Sequence, residues 1–174
     1  SNINIFYIIS SIANMLWIFA WHYKIIPISI IFMLIILYCL IKISDITNKS
    51  DFSVKENWLI RIPFSIYFGW ITVATIANFT TLFVSFNWNG FNLSDQFWTI
   101  VVLLIGAIIG ILRMLKDKNI VYGLVLIWAY FGIWFKHTTV FEKQYPGVIF
   151  TVIFCIGIFL ISEIKFFLSN KSKT

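Results

Sequence analysis

Six apolar runs, each about as long as a bilayer is thick, constrain this chain more than any other feature of its sequence. They cover roughly residues 4–22, 25–43, 58–84, 96–115, 119–136 and 146–167. A membrane-spanning helix needs about 20 mostly apolar residues. Lipid offers no partner to a free backbone N–H, and none of the runs shows the alternation of a transmembrane β-strand. We therefore predict an all-α fold, a polytopic transmembrane bundle of six helices.

Composition excludes the main alternatives. Of the 174 residues, 60% are hydrophobic and only 11% are charged, whereas ordinary soluble domains carry about a quarter charged residues. Soluble, disordered and coiled-coil chains all need more charge than this. The net charge of +6 comes from basic residues scattered at the ends of the runs, not gathered in a stripe with exposed aromatic side chains. We expect membrane lipid, and no nucleic acid, among its partners.

The basic residues also indicate an orientation. Three of them fall on one side of the predicted membrane, namely Lys24, Lys136 and Lys143. The other ten fall on the opposite side, namely Lys42, Lys49, Lys55, Arg61, Arg113, Lys116, Lys118, Lys165, Lys171 and Lys173. By the positive-inside rule, both termini of this chain are expected in the cytoplasm. The N-terminus lacks the basic start of a cleavable signal, so we expect none.

Two of the runs present polar and aromatic residues on one helical face. In the first run these are Asn14, Trp17 and Trp21, and in the third they are Tyr67, Trp70, Ala74 and Asn78. An amide is costly in hydrocarbon unless it has a partner, so both faces are expected to point into protein. Two interpretations follow. Either the residues only pack helices together, or they line a cavity for a flat, largely apolar ligand.

The same residues carry a resemblance to a known family. The segment Trp70-Ile71-Thr72-Val73-Ala74-Thr75-Ile76-Ala77-Asn78 resembles the Trp-x-x-x-Ala-Thr-x-x-Asn pattern of the translocator protein / tryptophan-rich sensory protein (TspO/MBR) family. Asn14-Met15-Leu16-Trp17 resembles that family's Leu-Asn-x-x-Trp segment, with Ala13 where Leu is usual. Residues 4–84 would then correspond to the last three helices of the family's five-helix bundle. The remainder resembles the extra C-terminal helices of a longer bacterial branch.

The resemblance implies a site and a function. Family members place ligand contacts at the positions matched by Trp17, Trp70 and Ala74. The chain is expected to bind a hydrophobic or tetrapyrrole-like ligand, such as a porphyrin or haem-like molecule, in a sensory or regulatory role, with no required cofactor. A multi-pass protein of the bacterial inner membrane is implied. Porphyrin degradation enters only by family analogy, and we do not expect an enzyme, because no residue is identified as its acid, base or nucleophile.

This sequence also departs from the family pattern. The family's first two helices, and the loop that lids its cavity, have no counterpart here. The proline usual four residues before the Trp stands seven before it, as Pro63, with Ile66 in its place. The predicted domains are residues 1–87, with the three TspO-like helices, and 88–174, with three additional helices.

Three further features bear on alternative functions. Gly106 and Gly110 form a Gly-x-x-x-Gly step, expected to pack within the chain, with a homodimer as the alternative. No metal site is expected at His22 and His137. All charged residues of the runs are expected near helix ends, where they reach the interface, namely Lys42, Arg61, Arg113, Lys136, Glu163 and Lys165. An ion-coupled carrier is therefore disfavoured. A permease-like transporter or a partner-binding membrane subunit without a cavity stays open.

Overall fold

The computed structural model describes residues 2–86 and 90–171. These residues form helices and no strand, which confirms the all-α fold. The chain divides into two compact units, Ser1–Trp88 (unit 1) and Asn89–Thr174 (unit 2). The predicted domain boundary, between residues 87 and 88, lies outside the described residues.

Unit 1 is built around its second helix. It contains α1 (Asn2–His22), α2 (Ile26–Thr47), a short α3 (Val54–Glu56), a π-helix (Asn57–Arg61) and α4 (Ile62–Ser85). Helix α2 packs against both α1 and α4, and it supplies the most deeply buried apolar side chains, namely Met33, Ile36, Leu40 and Ile43. On α1 the buried positions carry small residues, Ser10, Ala13 and Ala20. Small side chains let helices approach closely in a membrane.

The polar loop predicted over residues 44–57 is shorter in the structure. Helix α2 continues to Thr47, whose hydroxyl donates to the Ser44 carbonyl oxygen at 3.1 Å. The third span begins at Val54, because Ser53 and Glu56 form a capping box. The predicted bounds were wrong here because these polar side chains hydrogen-bond to their own helices, although their composition resembles that of a loop.

A π-turn precedes the proline in the third span. The Ile62 N–H donates to the Asn57 carbonyl oxygen, a bond that spans five residues. Pro63 follows directly, in the first turn of α4. Since proline has no N–H to donate, a wider turn just before it accommodates the missing bond without ending the helix. The span therefore runs without a break from Val54 to Ser85.

Unit 2 is built around its last helix. After a 3₁₀ turn (Gly90–Asn92), it contains α5 (Asp95–Asp117), α6 (Ile120–Thr139) and α7 (Pro146–Lys171). Ser94 is the N-cap of α5, and its hydroxyl accepts from the Phe97 N–H at 3.2 Å. Helix α7 packs against both α5 and α6. The buried core includes Met114, Tyr122, Leu126, Val152 and Phe159.

Gly110 packs within unit 2, as its spacing with Gly106 predicted. A Cβ at Gly110 would lie 2.5 Å from Leu126 Cδ1 on α6 and 3.6 Å from Phe159 Cε1 on α7. Both neighbours belong to the same chain. The glycine therefore permits close contact among the three helices of this unit.

Glu163 corrects one expectation. It was expected near a helix end with its carboxylate at the interface, but only 8% of the residue is exposed. Neither carboxyl oxygen has a hydrogen-bond partner among the described residues. The prediction was wrong because Gly123, on the neighbouring α6, leaves space that the Glu163 side chain occupies. The position of Glu163 along the helix did not by itself indicate that its side chain is buried.

Six helices of the described residues are long and apolar enough to cross a membrane. Their spans are Ile3–His22, Ile26–Thr47, Val54–Ser85, Asp95–Asp117, Ile120–Thr139 and Pro146–Leu168. These are the six spans expected from the apolar runs. The chain is thus a multi-pass membrane protein by the length and composition of its helices.

Candidate ligand-binding site in unit 1

Helices α1 and α4 each pack on α2, and they meet each other through long side chains. The Trp17 Nε1–H donates to Asn78 Oδ1 at 3.3 Å. The Asn78 Nδ2–H donates to the Ala74 carbonyl oxygen, one turn back on α4, at 2.9 Å. Asn78 is only 4% exposed. Both ends of its amide therefore bond within the protein, and the residue links α1 to α4.

The two tryptophans of α1 lie beside each other. The ring centroids of Trp17 and Trp21 are 5.8 Å apart, and the ring planes are tilted by 30°. Trp17 is half-buried, whereas Trp21 is 39% exposed. Asn14, one turn before Trp17, is also half-buried. Of the three residues predicted on one face of α1, Trp17 is the one whose hydrogen bond reaches α4.

The predicted residues of α4 differ in burial. Tyr67 and Ala74 are half-buried, and Asn78 is buried. Trp70 is 48% exposed. Much of its indole is therefore accessible from outside unit 1, which is not the case for the other three residues.

An open cavity lies between the beginnings of these two helices. Its volume is about 520 Å³. Asn4 and Tyr7 of α1 line it on one side, and Ile60, Pro63, Phe64 and Tyr67 line it on the other. The Tyr7 and Phe64 rings meet edge to face, with centroids 5.6 Å apart and an interplanar angle of 83°. Three of the eight lining residues are thus aromatic and four are aliphatic, with an amide and two phenol groups available as polar contacts.

One of the seven predicted site residues, Tyr67, lies in the cavity wall. Trp17 and Asn78 form their hydrogen bond further along the same two helices. Sequence reasoning missed Tyr7 and Phe64. A signal for Tyr7 was present, since it stands seven residues before Asn14 and so falls on the same helical face. Phe64 follows Pro63 directly, and only the packing of α1 shows that it lines a cavity.

The described residues hold no group of three or more His, Cys, Asp or Glu side chains that could bind a metal ion. The groups available to a ligand in this cavity are thus aromatic rings, aliphatic side chains and a few neutral polar atoms. Such a lining is typical of sites for largely apolar small molecules.

Comparison with known proteins points to one family. The family model described as TSPO-like protein matches residues 1–164 of this chain. The match covers unit 1 and extends through most of α7 in unit 2. No curated protein and no protein of known structure matches the chain.

Proposed function

Because the chain belongs to the TSPO-like protein family, we propose that unit 1 binds a flat hydrophobic ligand of the tetrapyrrole type, with a sensory or regulatory output. The observation that carries this proposal is the aromatic cavity between α1 and α4. Its volume of about 520 Å³ falls within the range of about 300–1,000 Å³ that is usual for small-molecule sites.

The residues of the cavity have distinct parts in this proposal. Tyr7, Phe64 and Tyr67 offer ring faces and edges against which a flat ligand can stack. The phenol hydroxyls and the Asn4 amide are the polar groups that would orient it. The Trp17–Asn78 bond keeps α1 and α4 at a set spacing beyond the cavity. Trp70 is partly exposed and lies one turn after Tyr67 on α4, so it would extend the aromatic surface that a large ligand meets.

A porphyrin titration with matched Tyr→Leu variants tests the proposal. Porphyrin is added to the detergent-solubilised protein, and quenching of intrinsic tryptophan fluorescence is recorded. Tyr67→Leu removes one aromatic wall of the cavity, and the lost ring contact should raise the Kd about three- to tenfold. Tyr38→Leu is the control, because Tyr38 belongs to the same unit but is 56% exposed and lies outside the cavity.

Three outcomes are informative. Saturable quenching that Tyr67→Leu weakens and Tyr38→Leu leaves unchanged supports a site between α1 and α4. Quenching that never saturates means that porphyrin only partitions into the detergent. Saturable binding that both variants leave unchanged places the ligand elsewhere. Either of the last two results would remove the cavity as the ligand site.

A further inference from the structure

The carboxyl group of Glu163 is a feature of unit 2 that ligand binding in unit 1 does not explain. The residue is 8% exposed, and both Oε1 and Oε2 lack a hydrogen-bond partner among the described residues. It lies within the candidate span Pro146–Leu168, five residues before the end of that span. An ionisable side chain inside a membrane-spanning bundle is costly, and such residues commonly have a function.

The immediate surroundings of this carboxyl group are apolar. On α7 the neighbouring turns place buried Phe159 and Phe166 on either side of it. On α6 it lies against Gly123, where a Cβ would collide with Oε1. Met114 of α5 is fully buried, and its Cε lies 2.7 Å from the position which that Cβ would take. The groups that the structure places beside the carboxyl group are therefore a thioether and the backbone of a glycine, with phenyl side chains one turn away along α7.

The charged and titratable groups of the adjoining helices do not pair with Glu163. On α5, Arg113 Nε donates to Asp117 Oδ2 at 2.7 Å, and the two form an ion pair. On α6 the nearest titratable group along the helix is buried Tyr122. On α7, Lys165 is exposed. None of these four residues is a hydrogen-bond partner of Glu163.

We propose that Glu163 is a proton-binding site of unit 2, a carboxyl group that carries its proton while α5, α6 and α7 are packed together. An isolated ionised carboxylate in apolar surroundings is so unfavourable that the group takes up a proton instead. A hard metal ion would need several oxygen ligands, and Met114 and Gly123, which lie beside this group, offer no side-chain oxygen. The proton is therefore the ligand that fits.

This proton couples the packing of unit 2 to pH. When the helices separate around Gly123, the carboxyl group meets water and releases its proton to it, which leaves a carboxylate. The packed state thus binds one proton more than the separated state. By linkage, falling pH favours the packed state and rising pH favours separation.

Infrared spectroscopy of the full chain in lipid nanodiscs tests the proposal directly. A protonated carboxyl group has a carbonyl stretch that an ionised carboxylate lacks. We expect this band at neutral pH in the wild-type protein and its loss in Glu163→Gln. The matched control is Glu142→Gln, the same change at an exposed position between α6 and α7, and it should keep the band.

The carbonyl band can also be assigned to Glu163 without substituting that residue. It contains three glutamates, Glu56, Glu142 and Glu163, of which the first two are exposed. In the variant Glu56→Gln/Glu142→Gln, ¹³C-labelled glutamate marks Glu163 alone. A carbonyl band that shifts with this label at neutral pH then belongs to Glu163, even if Glu163→Gln does not fold.

Two results would overturn the proposal. The first is the absence of a ¹³C-sensitive carbonyl band at neutral pH in the folded protein, which would mean that Glu163 is ionised. The second is loss of the band when sodium replaces choline in the buffer at constant pH. That result would make a metal cation, and not the proton, the occupant of the site. A band that is equal in both salts supports the proposal.

Discussion

At the scale of single residues, the amide of Asn78 and the indole of Trp17 decide how α1 meets α4. Asn78 accepts from Trp17 and donates to the Ala74 carbonyl oxygen, so each end of the amide has a partner within the protein. The bond of 3.3 Å is slightly longer than is usual for N–H···O. Its contribution is therefore expected to resemble that of other interhelical bonds in membranes, which is modest.

A double-mutant cycle measures that bond. Trp17→Phe removes the indole N–H and keeps an aromatic ring, and Asn78→Leu removes the amide at similar volume. We expect a coupling free energy of about 0.5–1.5 kcal/mol in favour of the wild-type pair, from unfolding in detergent. Strictly additive effects of the two changes would show that the contact does not stabilise the fold.

Trp70 offers a different test, because it is 48% exposed. Trp70→Phe should change the free energy of unfolding by no more than about 0.5 kcal/mol, as is usual at exposed positions. If the porphyrin extends from the cavity along α4, the same variant weakens porphyrin binding. A lower melting temperature with unchanged porphyrin affinity would instead assign Trp70 to packing alone.

At the scale of helices, Gly123 and Gly132 of α6 differ in whether a neighbouring helix packs against them. A Cβ at Gly123 would meet the Glu163 carboxyl group and Met114 Cε, whereas a Cβ at Gly132 would meet nothing within 4 Å. The two glycines lie on the same helix and differ in what faces them. The packing of α6 against α5 and α7 therefore depends on the first and not on the second.

Alanine substitutions compare these two glycines. Gly123→Ala should reduce the free energy of unfolding by about 1–3 kcal/mol, because the added methyl group overpacks a buried contact. Gly132→Ala, the control, should leave it unchanged or raise it by up to about 1 kcal/mol, since alanine favours helix. Thermal unfolding of both variants in the same detergent provides the comparison. Equal effects would contradict the close contact at Gly123.

At the scale of the whole molecule, the distribution of basic residues predicts the orientation in the membrane. Lys49 falls on the predicted side of the membrane that has ten Lys and Arg residues. Lys143 falls on the side that has three. Both are exposed. The two native cysteines, Cys39 and Cys155, are buried, so they give little background in a labelling experiment.

Cysteine labelling checks this orientation. In spheroplasts of a bacterial host, a membrane-impermeant maleimide should react with Lys143→Cys and not with Lys49→Cys. Permeabilised cells, in which both sites should react, provide the control. Labelling of Lys49→Cys alone in intact spheroplasts would reverse the predicted orientation and place both termini outside.

How far the fold could be predicted differs from region to region. The six spans follow from apolar length alone, because lipid leaves few other structures for a run of this kind. The start of the third span was misplaced, because the capping box of Ser53 and Glu56 begins a helix in polar sequence. The π-turn before Pro63 was likewise not predicted. Helix ends depend on individual hydrogen bonds, and hydropathy does not report these.

The candidate site was predictable in part for a similar reason. Helical spacing placed Trp17 and Asn78 on inward faces, and the structure joins them by a hydrogen bond. The same spacing could have included Tyr7. It could not show that Phe64 meets Tyr7, because that contact depends on how far α1 and α4 lie apart.

The sequence by itself determined that this chain is an all-helical membrane protein, since long apolar runs have one general solution in lipid. Its motifs also indicated the family to which it belongs. Only the tertiary structure decided which side chains meet. Tyr7 contacts Phe64 edge to face beside a cavity, and Glu163 lies against Gly123 with no hydrogen-bond partner for its carboxyl group among the described residues. Periodicity defines the faces of each helix, but the partner of each face depends on packing between helices distant in sequence.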